Sequence, residues 1–208
     1  MTQTISALYD GYDAAASAVN ALELAGVPNS DISILANNAN DVYLADRPTN
    51  AAADAGTGAE IGAAVGGVGG LLAGLGILAI PGVGPVVAAG WLIATVAGMA
   101  TGAAVGGATG GLVGSLTKAG VPESEANFYA EGVRRGGALV TVQAEDNRVA
   151  LVRDIMVRYD PVDAVTRGAE YRSAGWNSFD ERAPAYTPEE IAAERVRNVR
   201  HNARRETV

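Results

Sequence analysis

Apolar and polar positions follow three rhythms along this chain. Thr4-Ile5-Ser6-Ala7-Leu8-Tyr9 alternates with a period of two, the pattern of a strand with one buried face. Ala14 to Ala25 follows a helical period, with Asp13 placed to cap it and Gly26 to stop it, and Asp31-Ile32-Ser33-Ile34-Leu35 alternates again. Residues 1–46 therefore predict a β-α-β unit, followed by a linker at 47–60. The third rhythm fills residues 61–118. No charged side chain occurs between Glu60 and Lys118, and glycine returns every fourth position on both sides of Ile80-Pro81-Gly82-Val83-Gly84-Pro85. The first series is Gly58, Gly62, Gly66, Gly70 and Gly74; the second is Gly90, Gly98, Gly102, Gly106, Gly110 and Gly114, with Ala94 in the missing step.

A four-residue step drifts slowly around a helix of 3.6 residues per turn, so each series predicts a helix with a side-chain-free groove down one face. Glycine costs about 1 kcal/mol relative to alanine inside a helix, so so many of them require compensation from a bilayer or from very close helix–helix contact. The two series mirror each other: Gly58 with Gly114, Gly62 with Gly110, Gly66 with Gly106, Gly70 with Gly102, and Gly74 with Gly98. An antiparallel glycine-zipper hairpin is the expectation, turning at Pro81, Gly82, Gly84 and Pro85, with Leu75, Ile77, Leu78, Trp91, Leu92 and Ile93 as an apolar tip. Ile61 to Ile80 is about 20 residues, or roughly 30 Å of helix, which matches a hydrocarbon core. Small residues dominate it, however, and the flanking charges give the positive-inside rule little to act on, so burial between copies of the chain stands beside membrane association.

After this block, residues 119–168 predict a helix from Glu123 to Arg134, a strand from Ala138 to Ala144, a helix from Arg148 to Tyr159 and a short strand at 162–166. Without the insertion and its trailing helix the order is βαββαβ, that of an α+β, ferredoxin-like split βαβ sandwich. Residues 169–208 form a polar tail. There Thr187-Pro188-Glu189-Glu190 supplies a capping box for a terminal helix from Pro188 to about Ala203, rich in arginine (Arg195, Arg197, Arg200, Arg204, Arg205) and read as solvated, paired with an acidic surface or touching anionic lipid.

Composition narrows the chemistry. A net charge of -8 argues against nucleic acid as a partner. With no cysteine there is no disulfide, thiol nucleophile or thiolate metal site, and the N-terminus lacks the features of a cleaved signal. His201 is the only histidine, which leaves no basis for a catalytic triad or a histidine-rich metal site. Gly74-Leu75-Gly76-Ile77-Leu78-Ala79 matches a dinucleotide-loop spacing but lies within the apolar run, and Lys118 lacks a Walker A context. Asp10, Asp13, Glu123 and Glu125 suit helix N-termini better than a paired-carboxylate site. No catalytic residue, metal ligand or cofactor is expected. An enzyme using the cleft between sheet and hairpin is a third reading, which an ordered ligand among Tyr9, Tyr12 and Tyr129 would support.

The block from Gly74 to Pro85 with Ala88-Ala89-Gly90, the segment from Gly120-Val121-Pro122-Glu123 through Tyr129-Ala130-Glu131-Gly132-Val133-Arg134-Arg135-Gly136-Gly137-Ala138-Leu139-Val140, and Tyr159-Asp160-Pro161-Val162-Asp163 resemble bacterial general-stress proteins of the heat-induced, 17M-like type. The resemblance covers about residues 3 to 167 and implies a stress context without any catalytic residue. The expectation is a non-enzymatic stress-response protein whose hairpin mediates membrane association or self-assembly, with its polar domain in the cytoplasm. The alternative is a cytoplasmic, soluble homo-oligomeric sensor or ligand-binding module with the hairpins buried between subunits.

Overall fold

Alternation decides the architecture, because the central strands carry apolar residues on both faces and need cover on each. The computed structural model describes residues 2–39, 71–102 and 111–205. Its elements are β1 (Thr2–Tyr9), α1 (Tyr12–Leu24), β2 (Ile32–Asn37), β3 (Gly76–Ile80), β4 (Gly84–Gly90), α2 (Trp91–Gly102), α3 (Gly111–Lys118), α4 (Glu123–Arg134), β5 (Ala138–Glu145), α5 (Val149–Val157), α6 (Ala164–Ser173) and α7 (Pro188–Arg205). The result is a mixed α+β fold with a five-stranded antiparallel sheet in the order β1-β5-β2-β4-β3.

Successive residues of β2 and β5 point to opposite faces. Ile32, Ile34, Ala36, Val140 and Val142 enter a core closed by α1 and α5, through Val19, Leu22, Val152 and Met156. Leu35 and Leu139 enter the opposite core with Leu8, and the helices α2, α3 and α4 cover it through Leu92, Leu112, Leu116 and Val133. Across the middle of the sheet Leu139 lies opposite both Leu8 and Leu35.

One row on this second face is polar: Thr141 lies opposite Ser6 on one side and Ser33 on the other. The Ser33 hydroxyl donates to Ala89 O at 2.9 Å, whereas the buried Thr141 and Ser6 hydroxyls have no protein partner among the described residues. Thr141→Val is therefore expected to raise stability by about 1 kcal/mol, because it removes the desolvation cost of an unmade hydrogen bond. Urea unfolding checks this, and a loss of stability would mean the hydroxyl is satisfied in solution.

Three expectations from the sequence are corrected. Residues 76–80 and 84–90 are not the ends of helical arms: they form a β-hairpin that extends the sheet from β2. Ile80-Pro81-Gly82-Val83 turns the chain, with Val83 N–H donating to Ile80 O at 3.0 Å and Gly82 at φ 74°. Proline at the second position and a positive-φ glycine at the third are the requirements of a type II turn. Ile77, Ile80, Val86 and Val87 are β-branched residues suited to a pleated surface. With residues 76–80 in the sheet, the apolar stretch from Ile61 to Ile80 is not one continuous helix of the length a bilayer core requires. No helix among the described residues is long and apolar enough to cross a membrane.

The second correction concerns residues 162–166. Val162 N–H gives one bond to Leu8 O at 2.7 Å, and the chain then enters α6, because Asp163 accepts from Thr166 N–H at 2.7 Å as its N-cap. Asp13 also differs: it lies in the first turn of α1, and Gly11 occupies the cap position.

Candidate functional site

The residues singled out from the sequence fall in three groups. Gly58, Gly62, Gly66, Gly70, Gly106 and Gly110 lie outside the described residues. Gly74 ends the short 3-10 turn Leu71–Gly74, Gly98 and Gly102 belong to α2, and Gly114 belongs to α3. Pro81, Gly82, Gly84 and Pro85 form the β-turn just described and its flanks, not a link between helices.

The expected apolar tip is not one surface. Leu92 is buried at the start of α2, and Trp91 donates its indole N–H to Asp31 O at 3.2 Å. Leu75 packs on the first core, Leu78 and Ile93 on the second. Ile77 alone of the six stands 62 % exposed, on β3 at the rim of the sheet.

A second region was missed by sequence reasoning. At the C-terminal end of α4, the Glu131 carboxylate is only 1 % exposed and is held by Arg134 at 3.3 Å and Arg135 at 2.6 Å. Arg135 also reaches Glu194 of α7 at 2.9 Å and lies over the Tyr171 ring at 4.3 Å. Burial lowers the proton affinity of the Arg135 guanidinium, but Glu131 and Glu194 more than offset it, so the net shift is upward. Beside it, Arg167 makes a two-pronged contact with Asp10 at 2.7 and 3.2 Å, and Asn198 of α7 donates to the same Asp10 carboxylate at 3.0 Å. Burial pushes the Tyr171 hydroxyl up to about 12 despite Arg167 and Arg135 nearby.

These contacts fix the polar tail to the body. Ile191 of α7 is buried and fills the notch left by Gly136, whose φ is 99°. The capping box forms, with Thr187 N–H donating to Glu190 at 2.8 Å and Glu190 N–H to Thr187 Oγ1 at 3.3 Å. The only sequence signal was the spacing of Glu131 from Arg134 and Arg135, which places all three on one face of a helix.

Between α3, the start of α4 and the tail lies an open cleft of about 970 Å³, lined by Val113, Gly114, Asn127, Phe179 and Glu181. Burial and the neighbouring Asp180 raise the proton affinity of Glu181. Among the described residues no group of three or more His, Cys, Asp or Glu side chains is arranged to hold a metal ion. The arrangement offers two things chemically: an uncharged sheet edge at β3, and a set of ion pairs linking α4, α6 and α7 to neighbouring elements.

Residues 4–79 match the family model of the heat induced stress protein YflT domain, which is consistent with a bacterial general stress protein family. That stretch begins in β1 and ends within β3. Comparison with curated proteins and with solved structures returned no significant match.

Proposed function

We propose that this chain, which carries a heat-induced stress protein domain at its N-terminal end, is a non-enzymatic general stress-response protein that works by assembling with copies of itself, with β3 as the primary contact. One observation carries the reading. Gly76-Ile77-Leu78-Ala79-Ile80 contains no charge and no proline, pairs on one side only among the described residues, and leaves Ile77 62 % exposed. Natural proteins usually guard such an edge with lysine, proline or a bulge, because its unpaired N–H and C=O groups template another strand. A two-fold antiparallel pairing of β3 with its equivalent would continue the sheet from one copy into the next and satisfy those groups. The non-enzymatic part is supported by the ion pairs: Arg135 is engaged with Glu131 and Glu194, and Arg167 with Asp10 and Glu170.

The membrane reading is the less supported of the two, since it needs two apolar spans and residues 76–90 are committed to the sheet.

Light scattering of the full-length protein without detergent tests the proposal. The wild type is expected to form a discrete oligomer, and Ile77→Lys, at a site already facing solvent, is expected to weaken it about tenfold or more by placing like charges at the paired edges. A wild type that stays monomeric at every concentration would end the assembly reading. Retention of native protein in membranes through a carbonate wash would replace it with lipid insertion.

A further inference from the structure

The two outer strands of the sheet are not equally open. In an antiparallel ladder alternate residues turn both N–H and C=O to one neighbour, and the residues between turn theirs to the other side. Asn38 N–H donates to Pro85 O at 2.9 Å, so Pro85, and with it Val87 two residues on, faces β2. Ala79 and Ile77 lie opposite these two residues in β3 and therefore direct their own N–H and C=O groups away from β4, to the open edge. Their side chains are also the exposed ones of the strand. The same phase runs through to the other edge. Asn37 N–H donates to Gly137 O at 3.3 Å, which turns Leu139 and Thr141 to β2 and leaves Leu8 and Ser6 of β1 facing outward. There the carbonyls are taken: Leu8 O accepts from Val162 N–H at 2.7 Å, and Ser6 O from the Tyr129 hydroxyl at 3.2 Å.

We infer that the assembly is a closed dimer, in which two β3 strands pair about a two-fold axis through Leu78 and set Ile77 of each copy opposite Ala79 of the other; this rests on the assembly reading above. The register follows from the outward groups. Centred on Leu78, both outward residues of each copy enter hydrogen-bonded pairs, so every outward N–H and C=O of Ile77 and Ala79 is used. Centred on Ile77, the pairing would set Ala79 opposite Leu75, which lies outside the strand; centred on Ala79, it would set Ile77 opposite Pro81, which has no N–H to give. Side chains agree with the first choice. The large Ile77 would face the small Ala79 on one side of the sheet, and the half-buried Leu78 its own equivalent on the other. No like charges oppose the approach, because β3 carries none. Closure follows from the difference between the edges. A two-fold contact consumes the β3 edge of both copies, and β1, with the outward carbonyls of Ser6 and Leu8 engaged and Val162 lying across its end, offers no comparable edge to extend the sheet into a filament.

The full-length chain has no cysteine, so introduced thiols report this geometry without background. Ile77→Cys and Ala79→Cys both replace exposed side chains. Across a hydrogen-bonded pair the Cα atoms are about 5.5 Å apart, within disulfide range. Two copies of the same variant hold their thiols two residues out of register, roughly 8–9 Å between Cα atoms and beyond that range. Under mild oxidation a mixture of the two variants is therefore expected to crosslink about tenfold faster or more than either alone. Light scattering of the wild type should give the mass of two chains, with no larger species as concentration rises. Equal or faster crosslinking of one variant alone, or none in a mixture that still associates, would overturn the register while assembly stands. If either substitution blocks association, Leu78→Cys gives the readout: it lies opposite its own equivalent, so crosslinking supports the register and its absence overturns it. Growth of the wild type beyond two chains would overturn closure. A wild type that is monomeric throughout ends the assembly reading, and the dimer with it.

Discussion

Gly90→Ala is expected to unfold the outer half of the sheet, at a cost of about 4 kcal/mol or more, because two penalties meet at one position. Gly90 ends β4 at φ 97°, a conformation that residues with a Cβ rarely adopt. A Cβ there would overlap Ile32 O and lie 2.7 Å from Ser33 Cα. Both atoms are backbone of β2, which is buried on both faces and paired on both edges, so neither can withdraw without disturbing the ladder. The contact is also coupled to a polar one, since Ser33 donates from the same place to Ala89 O. Gly120 provides the control. It has φ 93° but nothing within 4 Å of a built Cβ, so Gly120→Ala pays only the conformational term, about 1 kcal/mol. Urea unfolding of the two variants separates the effects. Equal losses would mean that β4 does not sit as close to β2 as described, and that the hairpin is less committed to the sheet.

That commitment is what the sequence concealed. Where local chemistry and burial agree, the elements were legible: Pro122 and Gly136 bracket α4, the alternation around Ile5 marks β1, and Thr187 with Glu190 announces α7. Residues 76–90 are apolar whichever way they fold: β4, buried on both faces along 86–89, shows the same continuous hydrophobicity as a buried helix, and β3 keeps apolar Ile77 and Ala79 on its exposed side. Glycine spacing then favoured helices, while the evidence against them, the β-branched residues and the Pro81-Gly82 turn, was local and short. At 162–166 a single strand-like bond to Leu8 gives way to a helix because Asp163 caps it, a competition that depends on tertiary position. The exposure of Ile77 was equally hidden, since which strand ends at the rim is set by topology. The long-range ion pairs could not be read at all: Arg135 and Glu194 are 59 residues apart, and Arg167 and Asp10 are 157 apart. Charge composition says that such residues exist, and only the fold says which of them meet.

Arg135→Leu is expected to destabilise the protein by about 3–5 kcal/mol, the range for removing one partner from a buried ion pair. Arg135 is the shared member of the cluster, touching Glu131 at 2.6 Å and Glu194 at 2.9 Å while its guanidinium lies over Tyr171. Leucine supplies apolar volume but leaves Glu131, at 1 % exposure, with the longer 3.3 Å contact to Arg134 as its remaining ion pair. Glu194 fares better, because Arg197 reaches it at 2.7 Å from a mostly exposed position. The loss should therefore come from Glu131 and not from the tail. A double-mutant cycle distinguishes these sources. Combining Arg135→Leu with Glu131→Leu should recover a large part of the loss, since replacing a whole buried pair by apolar groups is often close to neutral. Combining it with Glu194→Leu should recover little. Arg135→Lys is expected to fall between wild type and leucine, since it keeps the charge but loses the planar stack and the simultaneous reach to two carboxylates. If Arg135→Leu costs less than about 1 kcal/mol, the cluster is solvated enough to behave like a surface pair. The attachment of α7 would then rest on Ile191 and on the Asn198 bond to Asp10.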